Sequence, residues 1–271
     1  MPWTFSHPAA VLPFKRWCPQ LLNLPALVIG SMAPDFGYYI KRYDLSDVAH
    51  TWSGVVLADV PSGLLVLLLF YLLRKPLWFL LPEPHRSALA PLLSRSPAVS
   101  PLFLIGAALS IALGACTHIV WDAFTHPSGW VVTHVAALRQ PWLSIGAIVA
   151  PGYAILQHVS TLVGALMLGS AYVGWLRRQP RDASKGSNDR WRYLLGVSAV
   201  TASLAVAIPL ALEAAAAAES GPRSPLSVFL VQTAIYGTSV FAVLILVTSL
   251  SAQRLRRRPA RTSAAARDSL P

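Results

Sequence analysis

GVVLADVPSGLLVLLLFYLL, running from Gly54 to Leu73 and followed at once by Arg74 and Lys75, decides the class of this chain. A helix needs about 20 apolar residues to cross a hydrocarbon core of roughly 30 Å. This stretch supplies them, interrupted only by Asp59 and Pro61. Four further runs answer the same description: about Val99–Val120, Tyr153–Trp175, Tyr193–Ala218 and Leu226–Leu250. The third is drawn from a longer apolar stretch beginning at Leu143, which Pro151-Gly152 divides. The part before that break is expected to lie at the interface or dip into the membrane.

Composition agrees. Hydrophobic residues make up 55% of the 271 positions and charged residues 12%, about half the share usual in soluble domains. The expected fold is therefore all-α: a polytopic transmembrane helical bundle of about five spans. A short N-terminal re-entrant or interfacial helix is expected over Leu21–Ala33, too short to cross and carrying Asn23 and Pro25. A signal peptide is the rival reading of that segment. Lys15 and Arg16 precede it and Ser31-Met32-Ala33 resembles a cleavage site, but Pro34 would follow the cut directly. Cleavage there would remove His7.

The formal charge of +11 suggests nucleic acid until its distribution is considered. Sixteen of the 22 Lys and Arg residues fall in three blocks, Arg74–Arg95, Arg177–Arg192 and Arg254–Arg267, each beside an apolar run. Basic residues near helix ends resist translocation, so the blocks mark one side of the membrane. The chain is expected to touch membrane lipids and no nucleic acid, with its C-terminus cytoplasmic; no protein partner is indicated. Tryptophans at 3, 17, 52, 78, 121, 130, 142, 175 and 191 mostly flank the spans, as an interfacial aromatic belt does. Four regions follow: residues 1–176 with three spans, a basic loop 177–192, two further spans in 193–250, and a basic tail 251–271 expected to be disordered. Cys18 and Cys116 form no ligand-like pair.

Placing the spans sorts the histidines. Six of the seven, all but His85, fall on the side opposite the basic blocks, together with Asp35, Asp44, Asp47, Asp59, Asp122, Glu213 and Glu219. Ionisable groups in lipid cost at least about 2.5–3.5 kcal/mol each at a helix centre, so they need a partner, a cavity or an interface. The densest group is His118-Ile-Val-Trp-Asp122-Ala-Phe-Thr-His126. Spacing of four residues rotates successive positions by about 40°, so all three side chains share one helical stripe. Imidazole nitrogens and carboxylate oxygens so arranged suit a divalent metal; a polar helix end hydrogen-bonded to neighbouring loops is the other reading. Asp35 follows Met32-Ala33-Pro34 and also reads as a turn residue. A continuous helix would put His50 and Asp59 on opposite faces, so either the helix begins after His50 or the two differ in role. Asp59-Val-Pro61 also reads as a helix N-cap. His158 and His134 are weaker candidates. No phosphate-cradling glycine loop and no Gly-x-Ser-x-Gly elbow is present.

Several motifs occur in a recognisable order: Pro2-Trp-Thr-Phe-Ser-His7-Pro, Gly30-Ser-Met-Ala-Pro-Asp35, His50-Thr-Trp-Ser-Gly54 with Asp59-Val-Pro61, the 118–126 motif with Gly129-Trp130, and Gln157-His158. Over about Met1–Trp175 the chain resembles the bacterial membrane family called domain of unknown function 4184. More distantly it is similar to YdjM-like inner-membrane proteins named as metal-dependent hydrolases, and through them to zinc-dependent phospholipase C and P1-type nucleases. The resemblance implies a bacterial inner-membrane location and a divalent metal, zinc or manganese. Its ligands would be Asp35, His50, His118 and Asp122, with His7 and His126 as additions. The implied activity is metal-dependent hydrolysis; the expected position at the outer membrane face favours a lipid or phosphoester as substrate, and a carboxylate such as Asp59 would serve as base or second-sphere anchor. The sequence departs from the YdjM-like pattern at His50-Thr-Trp-Ser, which lacks a second histidine. The alternative is a non-enzymatic scaffold, transport component or assembly factor, its His and Asp residues serving structure or a transport path.

Overall fold

The longest regular element of the N-terminal half starts and stops on local chemistry. Ser100 caps it, its hydroxyl accepting from the Phe103 amide at 3.1 Å, with Pro101 in the first turn. The helix Pro101–Thr125 then runs 25 residues, about 37 Å. It ends because His126 precedes Pro127, and a residue before proline is pushed out of the helical region. His126 accordingly has φ −109° and ψ 144°.

The computed structural model describes residues 3–18, 20–94, 98–145, 148–180, 189–218 and 225–257. Five helical segments are long and apolar enough to cross a membrane: Trp52–Phe79, Pro101–His134 (which includes the break at His126), Gly152–Arg177, Arg190–Ala217 and Pro225–Leu255. We refer to them as spans one to five. Much of their apolar surface is uncovered, Leu65, Leu68, Leu72, Leu102, Ile105, Leu162 and Leu166 included. In water such surface would be a liability; in a bilayer it meets acyl chains. The fold is thus an all-α, multi-pass membrane bundle. Half of the expected loop 177–192 (residues 181–188), most of the tail 251–271, and Glu219 lie outside the described residues.

The chain divides into two compact units, residues 1–72 with 95–180, and 73–94 with 181–271. In the first unit, an eight-residue 3₁₀ segment, Thr4–Val11, leads in. The apolar segment expected as re-entrant or interfacial is a seven-residue helix, Leu24–Gly30, capped by Asn23, whose side chain accepts from the Ala26 amide. At about 10 Å it cannot cross. Instead it is buried against span two. Ala26 and Ile29 join Leu67, Ala107 and Ile111 in one core cluster. The approach is close enough that a Cβ on Gly30 would strike the Ile111 backbone, and one on Gly114 would lie 2.5 Å from the Leu27 carbonyl oxygen. Small residues permit such backbone contact between membrane helices.

Two local features differ from expectation. The stretch before Pro151 is a two-stranded antiparallel hairpin, Pro141–Ile145 with Ile148–Pro151. Prolines at its ends and β-branched residues within favour strand over helix. Span one also begins irregularly. His50 ends the helix Tyr43–Ala49, and Thr51 caps a new one by accepting from the Gly54 amide. A π-helical turn, Val55–Asp59, follows before regular helix resumes at Val60. The helix therefore begins after His50, and the opposite-face geometry of a continuous helix does not apply.

In the second unit, span four packs on span five through Ala199, Ser203, Ala207, Ala211 and Ala215, buried at every fourth position. Beside them Arg192 pairs with Asp189 and donates to the Phe79 carbonyl at 3.1 Å. Asp189 also accepts from the Glu83 amide at 2.7 Å.

Candidate metal centre

Each group of the centre is placed by a short-range cause. The 3₁₀ segment carries His7 inward because its flank is tied to span three. Ser6 donates to the Thr161 carbonyl at 2.9 Å, and the Trp3 amide donates to the Thr161 hydroxyl at 3.2 Å. Gly164 leaves room for this contact, since a Cβ there would lie 2.9 Å from the Ser6 carbonyl oxygen. Asp35 closes a single 3₁₀ turn after the buried helix and is fully buried. Span two supplies His118 and Asp122 from one face, one turn apart, and His126 from its end.

The structure brings all six together. His118 Nε2 lies 3.6 Å from Asp35 Oδ1 and 3.2 Å from Asp122 Oδ2. His50 Nε2 lies 3.6 Å and 3.5 Å from the same two oxygens. His126 Nδ1 is 3.3 Å from Asp122 Oδ2, and His7 Nε2 is 3.7 Å from Asp122 Oδ1. The His7 ring stacks on His118 with centroids 3.8 Å apart. Asp59, fully buried at the π turn, lies within electrostatic reach of His118, His50 and Asp35. His134 and His158 are exposed and outside the group, as are Asp44, which pairs with Arg42, Asp47 and Glu213.

Orientation decides what the cluster can hold. His118 Nδ1 sits 2.8 Å from the Ser31 carbonyl oxygen, and His50 Nδ1 sits 2.7 Å from that of Ser46. A carbonyl only accepts, so both Nδ1 atoms carry the hydrogen and both Nε2 lone pairs point into the cluster. Thr4 donates to Asp35 Oδ2 at 2.5 Å, leaving Asp35 Oδ1 facing the same point. These anchors are what sequence inspection missed. Thr4 lies inside a quoted motif, but nothing in its spacing to Asp35 signals a contact.

Lone pairs thus face carboxylate oxygens across 3.2–3.6 Å. Asp35 Oδ1, His50 Nε2, His118 Nε2 and both Asp122 oxygens are buried without a hydrogen-bond partner. Acceptor set against acceptor in a buried site requires a positive charge between them. Protons are one source. In metal-free protein, burial disfavours charge on His50, but the Asp122 and Asp35 carboxylates outweigh it and raise its pKa to about 10. His7, by contrast, is pushed down to about 3 by burial and by neighbouring His118. Burial raises Asp35, yet His118 and His50 prevail and hold it below the usual carboxylate range.

A divalent ion is the other source, and it fits the spacing. Four ligands about 2.0–2.2 Å from a tetrahedral centre stand about 3.3–3.6 Å apart. The four nitrogen–oxygen separations, 3.2, 3.5, 3.6 and 3.6 Å, match four of the six edges of such a shell. Two overlapping triads, His7/Asp35/His118 and His50/His118/Asp122, bring one ligand atom from each residue within 4.8 Å of the others. The donor set, its burial and its second-sphere anchors therefore suit a metal.

Comparison with known proteins agrees on kinship and stops there. A family model described as Domain of unknown function (DUF4184) matches residues 1–250. That is more than the motifs between Met1 and Trp175 indicated, and it takes in span four and most of span five. No curated protein and no solved structure matches the chain.

Proposed function

We propose that this chain, which belongs to the DUF4184 family, is a metal-dependent hydrolase of the membrane surface, cleaving a lipid or other phosphoester on the outer face of the bacterial inner membrane. One observation carries the reading: buried, unpartnered donor atoms of Asp35, His50, His118 and Asp122 face one another across 3.2–3.6 Å at the four nitrogen–oxygen separations between them, the spacing of ligands on one metal ion. A divalent cation there, zinc or manganese, could supply Lewis acidity toward a phosphoryl oxygen and activate water only through a coordination position beyond these four ligands.

The remaining work falls to the chain. Ser31 and Ser46 carbonyls hold two imidazoles in the ligating tautomer, and Thr4 holds Asp35 in one orientation. Asp122 and Asp35 supply two negative charges for the cation. Asp59, with both oxygens buried and unpartnered, is the group assigned to take the proton of the attacking water as the new oxygen–phosphorus bond forms and the ester bond breaks. Access is on the side of His50 and His126, whose side chains are 22% and 20% exposed against 8% or less for His7, Asp35, His118 and Asp122.

Location supports a membrane substrate. Asp59 stands near the start of span one and His118–His126 near the end of span two, so the centre sits toward one end of the spans rather than at their middle. The basic blocks fall on the other side of the predicted topology, which favours an outer position for this end.

Elemental analysis of the detergent-purified protein tests the proposal. Wild type is expected to hold zinc or manganese and the His118→Ala/Asp122→Ala double variant none; equal, negligible metal in both removes the reading. Phosphodiester and phospholipid cleavage by wild type, lost in Asp122→Ala, is the second arm. Metal without cleavage removes the hydrolase and leaves a metal-binding membrane protein.

A further inference from the structure

We infer that a cavity in the second unit, at the basic end of the spans, binds one anionic phospholipid of the adjoining leaflet, with the lipid phosphate on Lys75 and part of one acyl chain against Phe79 and Leu93. The cavity has a volume of about 350 Å³, within the range of about 300–1,000 Å³ usual for small-molecule sites. Its wall is mostly apolar, with Pro76, Phe79, Ala90 and Leu93 in it; Lys75 and Gln253 bring the polar groups. All of these residues belong to the second compact unit, and none is shared with the metal centre.

Local contacts hold the cavity open. Span one ends at Phe79, and the chain returns as the helix His85–Ser94. Trp78 lines the cavity with its ring while its Nε1 donates to the Arg86 carbonyl at 2.7 Å. Arg86 in turn pairs with Glu83 at 2.8 Å. The returning helix is thereby pinned beside the end of span one. The Arg192 guanidinium lies over the Phe79 ring, 5.3 Å from its centroid, and fixes that wall. Ala90 faces the space with a single methyl group, too small to fill it. Gln253, in the last turns of span five, supplies the remaining side.

Charge complementarity names the occupant. Among the described carboxylates of this unit, Glu83 is paired with Arg86 and Asp189 with Arg192, while Glu213 stands near the far end of span four. Lys75 is exposed and has no ion pair or hydrogen bond among the described residues, and the Gln253 amide has no hydrogen bond among them. Arg254, exposed beside Gln253, adds a second positive charge. Lys75 also follows the apolar run Gly54–Leu73 by two residues, which sets it at the level of lipid phosphates. Basic pockets between helices at this level take anionic headgroups. A soluble anion would leave the apolar wall bare, and a zwitterionic lipid would leave the positive charge uncompensated.

Native mass spectrometry of the full-length protein counts the lipid directly, with chelator present so that no turnover consumes it. Delipidated protein offered equal amounts of phosphatidylglycerol and phosphatidylcholine with the same chains is expected to retain one lipid per chain. Phosphatidylglycerol is expected to be favoured roughly fivefold, the attraction of one basic residue for an anionic headgroup. Lys75→Gln is expected to lose the preference and Lys75→Arg to keep it. Ala90→Phe, which fills the cavity, is expected to retain neither lipid, whereas His118→Ala/Asp122→Ala is expected to behave as wild type. Glycerophosphoglycerol, the same headgroup without chains, is expected not to displace the lipid. Wild type that retains no lipid or both equally, a Lys75→Gln variant that keeps the preference, or displacement by the bare headgroup overturns the site. Lys75 is exposed, so Lys75→Gln is expected to fold as wild type by circular dichroism, and it decides the matter if Ala90→Phe does not fold.

Discussion

Thr4→Val is the sharpest test of how this centre is built. The substitution keeps shape and removes one donor, the hydroxyl 2.5 Å from Asp35 Oδ2. Thr4 and Asp35 are both buried, so no solvent replaces the lost partner. A hydrogen bond to a charged group contributes about 1.5–3 kcal/mol. If Asp35 is a ligand, that interaction holds the carboxylate ionised and turned toward the cation. Its loss converts to a roughly 10- to 150-fold rise in Kd for metal, in line with the ten- to hundredfold usual for second-sphere partners. The assay is competition against a chromophoric chelator of known affinity, with circular dichroism confirming that the variant is folded. Thr4→Ser, which restores the hydroxyl, is expected to bind within a few-fold of wild type. A folded Thr4→Val that binds as tightly as wild type refutes Asp35 as a ligand oriented by Thr4.

Other consequences are open to direct measurement. Gly114→Ala places a methyl 2.5 Å from the Leu27 carbonyl oxygen and 2.6 Å from the Ser31 amide, wedging span two off the segment that anchors His118. It is expected to cost about 1–3 kcal/mol, seen as a lower thermal midpoint in detergent, together with reduced metal content; an unchanged midpoint contradicts the close packing. Metal affinity is expected to rise with pH, because a cation must displace the proton that the carboxylates hold on His50, whose pKa in metal-free protein is about 10. Binding at pH 7.5 therefore releases protons, and calorimetric heats that do not vary with buffer ionisation enthalpy would count against His50 as a ligand. For topology, Ser128→Cys, at an exposed position, in a background lacking the free thiols Cys18 and Cys116, is expected to react with an impermeant reagent on intact cells; reaction only after lysis inverts the orientation.

Hydropathy made the class legible. Runs of some 20 apolar residues leave a chain little choice but to cross a bilayer as helices, because backbone polar groups there must be satisfied within the segment. All five spans follow from that local rule, as does the helix stop at His126 before Pro127. The relation of His118 to Asp122 was equally readable, since helical geometry alone fixes a four-residue neighbour. Nothing local, however, could bring His7, Asp35 and His50 to the same point. That depended on a seven-residue buried helix seated on span two through Gly30 and Gly114, on Thr161 holding the N-terminal segment, and on a π turn aiming Asp59. His158 shows the converse: it sits in the ordered series of motifs, yet its place on span three leaves it exposed. Sequence specified which chemical groups reside at one end of the membrane helices. Only tertiary packing, which matches surfaces far apart in the chain and leaves no trace in periodicity, decided which of them face one another.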